Sequence, residues 1–171
     1  DYTGEFVLTI DPPDAKDYDD AISIRKTKSG WELAVHIADV GHFIRPGSGL
    51  DVEAKERGNS TYLPRLVIPM LPETLSNGIC SLQEGVLRFS KSAFMAYDSH
   101  GNCTARGVGS TIIKSRKRLT YLEAQALMDG DVEEAKKHAK TEPDYSEELI
   151  DALHQMNDLA RTIEARRIRD G

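Results

Sequence analysis

Cysteine is scarce in this 171-residue chain, which holds two, Cys80 and Cys103. Two thiols cannot build a disulfide scaffold, and neither sits at metal-ligand spacing, so both are expected as buried free thiols of a cytoplasmic protein. Long apolar runs are missing too. No stretch approaches the ~18 apolar residues that span a bilayer, and residues 1–5 are polar and acidic, unlike a secretory leader, so a membrane partner is not expected. Basic residues are outnumbered, 22 Lys and Arg against 28 Asp and Glu, for a net charge of −6. That balance argues against nucleic-acid binding by bulk charge unless the negative charge is concentrated for another purpose. A phosphate-cradling loop is absent, since Gly47-Ser48-Gly49 lacks the lysine and flanks that such a loop needs. Internal repeats and low-complexity segments are absent as well.

What remains is an ordinary globular composition, 39% hydrophobic and 29% charged, long enough to bury roughly 70% of its unfolded surface. Short β-branched or alternating stretches predict strands over 5–10, 21–24 and 31–37, the last two joined by a turn at Lys28-Ser29-Gly30. A short helix is expected over 50–57. Pro64, Pro69 and Pro72 then keep 62–75 from forming one helix or a central strand. Strands follow over 88–97 and 103–113, around a polar connection at 98–102. Beyond Thr120 the texture becomes helical, over 121–128 and 132–139. A last helix is opened by a capping box at Asp144 and Glu147 and striped by Leu149, Ile150, Leu153, Met156, Leu159, Ala160 and Ile163. The fold class is therefore α+β, a mixed sheet of roughly five or six strands (1–115) followed by helices (120–170). The stripe expects something to pack on, which suggests a part of a longer protein.

Chemistry concentrates between Asp11 and Asp20, where five carboxylates, Asp11, Asp14, Asp17, Asp19 and Asp20, share ten positions with a single lysine. Two carboxylates ~4 Å apart repel by about 1 kcal/mol in water and about 4 kcal/mol at an effective dielectric of ~20. A fold that gathers several needs a cation, and hard ions such as Mg²⁺ or Mn²⁺ suit all-oxygen sites. Asp11 closes a strand, and Pro12 and Pro13 stiffen the return of the chain. Convergence of Asp11, Asp17, Asp19 and Asp20 would employ two ions, an arrangement suited to in-line displacement at phosphorus. The plainer alternative is a solvated acidic turn. An EF-hand fits less well, because Ala21 and Ile22 fall where a ligand and a glycine are required.

Thr9-Ile10-Asp11 with Asp14-Ala15-Lys16-Asp17-Tyr18-Asp19-Asp20-Ala21 resembles the signature of the ribonuclease II and ribonuclease R family, the RNB domain. Further blocks resemble it in order: Ala34-Val35-His36-Ile37-Ala38-Asp39-Val40, Tyr62-Leu63-Pro64, Ile68-Pro69-Met70-Leu71-Pro72, Leu75-Ser76-Asn77, Cys80-Ser81-Leu82 and Arg118-Leu119-Thr120-Tyr121. The likeness covers essentially the whole chain and about the first half of that family's catalytic domain. It implies one partial RNB domain over 1–171. The second half of the catalytic domain, with an arginine it supplies near the scissile phosphate, and the flanking cold-shock and S1 domains would lie outside the sequence.

By that resemblance the parent is a processive 3′ to 5′ exoribonuclease. It would use Mg²⁺, with Mn²⁺ as an alternative, to hydrolyse single-stranded RNA from its 3′ end into nucleoside 5′-monophosphates, and this chain alone would be inactive. Asp11, Asp17, Asp19 and Asp20 would be the catalytic and metal-site aspartates, with Asp19 nearest the chemical step and Asp14 outside. Tyr121 would stack on a base near the 3′ end, and Tyr62 would line the same cavity.

An exonuclease indifferent to sequence needs base faces and backbone rather than base edges, which Tyr121 and Tyr62 suit. Their alternative is a place in the core. Lys114, Arg116, Lys117 and Arg118 form the densest basic segment, either a strand-tracking groove or a solvated run. His36 and His42 read as structural rather than as bases, and Ser76, Ser81 and Cys80 lack a recognisable triad spacing. Two alternatives remain: a non-catalytic RNA-binding module of the same fold, and a structural domain that binds divalent ions.

Overall fold

The computed structural model describes residues 1–64 and 66–171. Five strands close into a barrel in the order β1 (Val7–Asp11), β2 (Asp20–Lys26), β3 (Gly30–Ala38), β6 (Leu87–Asp98) and β7 (Cys103–Thr120). Neighbours are antiparallel except at the seam, where β7 runs parallel to β1 with Val7 opposite Ser115 and Asp11 opposite Thr120. The seam makes β7 longer than its sequence suggests. Residues 114–118, expected to lie beyond the strand, belong to its second half, because the segment at Thr141 and Glu142 covers the stem and amine of Lys117, which is only 4% exposed.

Period-two alternation sorts the barrel residues into two faces. Leu8 and Leu119 point outward with the partly buried Ile10, Ile22 and Ile24, and pack against helices through Ala124, Leu127, Leu149 and Leu153. A five-stranded barrel leaves little room inside, and many of its inward residues, Ala21, Ser23, Ala34, Ser90 and Ser92 among them, are accordingly small. His36 lies fully buried among them: Ser23 Oγ is 3.1 Å from its Nε2 and Ser92 Oγ 2.7 Å from its Nδ1. Thr111 Oγ1 continues the chain, 2.6 Å from both Ser92 Oγ and Ser90 Oγ. At the turn into β3, a side chain on Gly30 would collide with the Tyr97 carbonyl across the sheet.

The remaining elements are α1 (Val40–Phe43), α2 (Gly49–Arg57), a two-stranded ribbon of β4 (Thr61–Leu63) and β5 (Leu66–Ile68), a π-helical turn at Thr74–Ile79, α3 (Tyr121–Met128), α4 (Val132–His138) and α5 (Glu147–Asp170). The ribbon is the form that the proline-punctuated stretch takes, and its described pairing is internal.

Several details depart from the sequence reading. The cap of α5 is Ser146, whose Oγ accepts the Leu149 N–H, not Asp144. The full capping box belongs to α3, where Thr120 Oγ1 accepts the Glu123 N–H and Glu123 Oε2 accepts the Thr120 N–H. On α5, Ala152 joins the buried stripe while Ala160 is exposed, and the stripe packs on the barrel of its own chain. Cys80 is buried as expected, but Cys103 is exposed, because it starts β7 beside the hairpin tip; both thiols are free. Among the described residues, no helix is long and apolar enough to cross a membrane.

This topology sends one class of connection to one end of the barrel. The ends of β1, β3 and β7 and the starts of β2 and β6 all meet there.

Candidate active site

The acidic segment bridges β1 and β2 at that end. Asp11 is the last residue of β1 and is buried; the chain turns at Pro12 and Pro13, with Ala15 N–H donating to the Pro12 carbonyl at 3.1 Å. Alternation then separates functions within the acidic run. Tyr18 turns inward onto Val7, Ala21, Cys80, Leu82 and Ile113, while Asp17 is half-buried and Asp19 and Asp20 are exposed. Asp20 opens β2 opposite Ile37, and the Asp19 carbonyl accepts the Ala38 N–H at 2.9 Å. Asp14 sits exposed in the turn.

The four sequence-selected carboxylates lie in one another's field. Burial, then Asp20 and Asp17, push the Asp11 carboxyl above its ordinary value, with the Thr9 hydroxyl and Arg118 opposing. Burial, then Asp17 and Asp20, do the same to Asp19. Among the described residues none of the four forms an ion pair, and Asp11 Oδ2 is buried with no hydrogen-bond partner. An orphaned inward oxygen in an all-carboxylate set fits a hard divalent cation, which would supply the missing partner. The side chains share one mouth of the barrel rather than one vertex: among the described residues no three potential ligands close around a single point.

Tyr121 is the first residue of α3 and 58% exposed, directly after the Thr120 that pairs with Asp11. Tyr62 is 70% exposed on β4. Of the basic segment, Arg116 is exposed, with Nη2 3.3 Å from the Thr3 carbonyl, and Lys114 is half-buried. Lys117 Nζ is committed to Thr141 Oγ1 at 3.0 Å and to the Glu142 carbonyl. The Arg118 guanidinium turns to the acidic loop, donating to the Pro13 carbonyl at 3.1 Å and standing 4.9 Å from the Tyr18 ring.

The other sequence candidates are occupied elsewhere. His36 is inside the barrel, and burial holds its ring near a pKa of about 4, so it is neutral. His42 stacks on Phe89 with centroids 3.9 Å apart. Ser81 Oγ accepts the Tyr18 N–H and donates to the Lys16 carbonyl. Burial pushes the Cys80 thiol up, away from a reactive thiolate. Sequence reasoning missed the scaffold that Ser81, Arg88 and Arg118 make behind the acidic loop. Its one visible signal is Tyr18, an apolar ring set between aspartates.

The family model for the RNB domain matches residues 1–171. Ribonuclease R 1 of Lactococcus lactis is 40% identical over 172 residues, covering 100% of this chain and 20% of that protein. Among solved structures, Mycoplasma genitalium RNase R in complex with double-stranded RNA superposes with a TM-score of 0.89 at 32% identity, over 100% of this chain and 29% of that one. Yeast Ssd1, described as a pseudonuclease, superposes over 98% of this chain and 19% of its own at a TM-score of 0.71; at 22% identity the likeness is one of fold alone. The chain thus spans about a fifth of the length of the curated relatives it matches. With a match from end to end in sequence and in backbone, the chain belongs to the RNB-domain family.

Proposed function

We propose that this chain is part of the catalytic domain of a cytoplasmic, Mg²⁺-dependent 3′ to 5′ exoribonuclease that hydrolyses single-stranded RNA to nucleoside 5′-monophosphates. The observation that carries the reading is the cluster of carboxylates at the barrel mouth, without an ion-pair partner among the described residues, with Asp11 Oδ2 left unsatisfied and with Asp11 and Asp19 raised in pKa by burial and by neighbouring carboxylates. Asp11, Asp17, Asp19 and Asp20 would hold the ions. Two divalent ions supply a nucleophile at neutral pH and charge stabilisation for the leaving oxygen. The protein's share is to gather those carboxylates at one mouth of the barrel despite their mutual repulsion and to keep Asp19 at the chemical step. Tyr121, exposed beside Asp11, presents a ring face on which a terminal base can stack, and Tyr62 offers a second. Lys114 and Arg116 have the charge to follow the RNA backbone without reading sequence.

The hydrolysis leaves a 3′-hydroxyl on the shortened RNA and places the oxygen of water on the departing 5′-phosphate. In the full-length polypeptide carrying these residues, 5′-labelled RNA with Mg²⁺ is expected to shorten from its 3′ end with release of nucleoside monophosphates. Asp19→Asn should abolish turnover and retain RNA binding. Endonucleolytic fragments, or undiminished turnover in that variant, would overturn the reading.

A second reading is an RNA-binding module without hydrolysis, which the absence of three potential ligands closing around one point among the described residues would favour. It predicts that the full-length protein binds RNA in Mg²⁺ without shortening it, with log affinity falling at about −0.7 per phosphate contact against log salt.

A further inference from the structure

The acidic loop poses a mechanical problem: its side chains repel one another, yet each must be held. None of the bonds that hold it is made to a carboxylate of Asp17, Asp19 or Asp20 among the described residues; they fall on its backbone. On one flank Ser81, fully buried, uses one hydroxyl twice, accepting the Tyr18 N–H at 3.0 Å and donating to the Lys16 carbonyl at 3.1 Å. Leu82 N–H donates to the Tyr18 carbonyl at 2.9 Å, so two adjacent residues grip the loop at its centre. Ser81 is itself fixed, because its carbonyl accepts Arg88 Nε at 2.8 Å while Arg88 Nη2 donates to the Gly78 carbonyl at 3.0 Å.

On the other flank stands Arg118. Its position on β7 opposite Thr9 places it on the same sheet face as Thr9 and Asp11. Its main-chain N–H is tied to Glu84 Oε2 at 2.8 Å. From there Nη2 donates to the Pro13 carbonyl at 3.1 Å and reaches the Ala15 carbonyl at 3.5 Å, and the guanidinium carbon stands 4.9 Å from the centroid of the Tyr18 ring. Tyr18 closes the arrangement by donating its hydroxyl to the same Ala15 carbonyl at 2.9 Å. Among the described residues Arg118 Nη2 alone makes the bonds to Pro13 and Ala15, while Nε is buried without a partner. What the guanidinium adds over an ammonium is therefore reach to two carbonyls together with a delocalised charge that stands near the Tyr18 ring. That charge neutralises part of the local negative potential without capping any carboxylate that must remain open.

We infer that Arg118, with Tyr18 and Ser81, is a positioning residue that sets the backbone of the acidic loop for divalent-ion binding, and not a contact to the RNA phosphates. The inference rests on the metal-site reading above and gives that site its support. Groups that orient ligands from behind typically change metal affinity by about 10- to 100-fold when altered.

The test compares Arg118→Lys, which keeps the charge and loses the guanidinium, and Ser81→Ala with wild type in the full-length protein, after melting curves establish folding. Three quantities are read: Mn²⁺ affinity by calorimetry, hydrogen exchange of amides 14–20 without metal, and RNA affinity in EDTA. Both variants should bind Mn²⁺ about 10-fold or more weakly, exchange those amides faster, and hold RNA as wild type does. Unchanged Mn²⁺ affinity and exchange in Arg118→Lys, or RNA binding in EDTA weakened with a shallower salt dependence in Arg118→Gln, which removes the charge, would overturn the positioning role while leaving the metal site standing. A wild-type protein that takes up no Mn²⁺ would sink the metal reading and this role with it. Should Ser81→Ala fail to fold, the Arg118 variants decide the matter.

Discussion

Asp11 and Thr120 face each other across the parallel seam of the barrel, the final residues of β1 and β7. The pairing puts the first residue of α3, Tyr121, at the lip of the acidic mouth, where the residue is 58% exposed. A ring so placed has little to contribute to the core and a base face to offer. Tyr121→Ala should therefore weaken binding of a short single-stranded RNA by about 1–3 kcal/mol, the range for one base–aromatic stack. Tyr121→Phe should bind as wild type does. Fluorescence anisotropy with labelled oligonucleotides in EDTA checks both, and equal binding by the alanine variant would remove Tyr121 from the RNA path.

Gathering like charges has a thermodynamic signature. Asp11 and Asp19 carry pKa values raised by burial first and by neighbouring carboxylates next. An acid whose folded pKa exceeds its unfolded value binds more protons when folded, so stability is highest below the unfolded value and falls as pH rises through the folded one. At neutral pH the loss is fully present, and a bound cation reverses it. At a Mg²⁺ concentration a hundred times its Kd, one site contributes about 2.7 kcal/mol, or roughly 5–10 °C in Tm for a domain of this size. Asp19→Asn should raise Tm in EDTA and shrink the Mg²⁺ increment. A Tm indifferent to Mg²⁺ at pH 7.5 would contradict the site.

Much of this was legible in the sequence, for definable reasons. Short β-branched or alternating stretches located β1, β2 and β3, the polar connection at 98–102 placed β6 and the first part of β7 on either side of it, and the aspartate run with its prolines marked the mouth. Barrel closure was not legible, because it depends on β7 reaching back to β1 through Lys114, Arg116, Lys117 and Arg118, whose charges read as surface. Nothing local announces that Lys117 will be covered by the segment around Thr141 and Glu142. The cap of α5 was misplaced by two residues because Asp144, Ser146 and their acidic followers offer equivalent local chemistry. Only the course of the chain after Pro143 chooses Ser146. The support behind the acidic loop was hidden for a similar reason, since Ser81 and Arg118 lie 63 and 100 or more residues from the backbone groups they hold.

His36 supplies a stability test independent of metal. Burial lowers its pKa from 6.5 to about 4, because Ser23 and Ser92 offer a neutral ring its hydrogen bonds and no counter-charge. The unfolded chain therefore takes up a proton first. The contribution of His36 is complete above pH 6.5, declines as pH falls toward 4 and is flat below. At about 1.36 kcal/mol per pH unit it is on the order of 3 kcal/mol. Subtracting the pH–stability curve of His36→Asn from that of wild type isolates this slope from the opposing slope of the raised carboxylates. A difference curve flat between pH 6.5 and 4 would refute the buried, neutral assignment.

The helix that carries Tyr121 hangs on one carboxylate. Glu123 is fully buried; its Oε2 accepts the Thr120 N–H at 3.1 Å and its Oε1 accepts the Tyr145 hydroxyl at 2.8 Å, an acceptor that helps burial push the Tyr145 phenol far above its ordinary range. Thr120→Ala removes the reciprocal half of the capping box and should cost about 1 kcal/mol, or roughly 2–4 °C in Tm. Glu123→Ala strands the buried Thr120 N–H and the part-buried Tyr145 hydroxyl, groups that cost about 1–3 kcal/mol each when left unpaired in the interior, and empties the space of a fully buried side chain, so its loss should be several times larger. Glu123→Gln keeps the shape and one acceptor oxygen and should fall between them. The order Thr120→Ala, Glu123→Gln, Glu123→Ala in denaturant midpoints is the expected result. Glu123→Ala as mild as Thr120→Ala would mean that the carboxylate caps α3 without anchoring Tyr145 and the approach to α5.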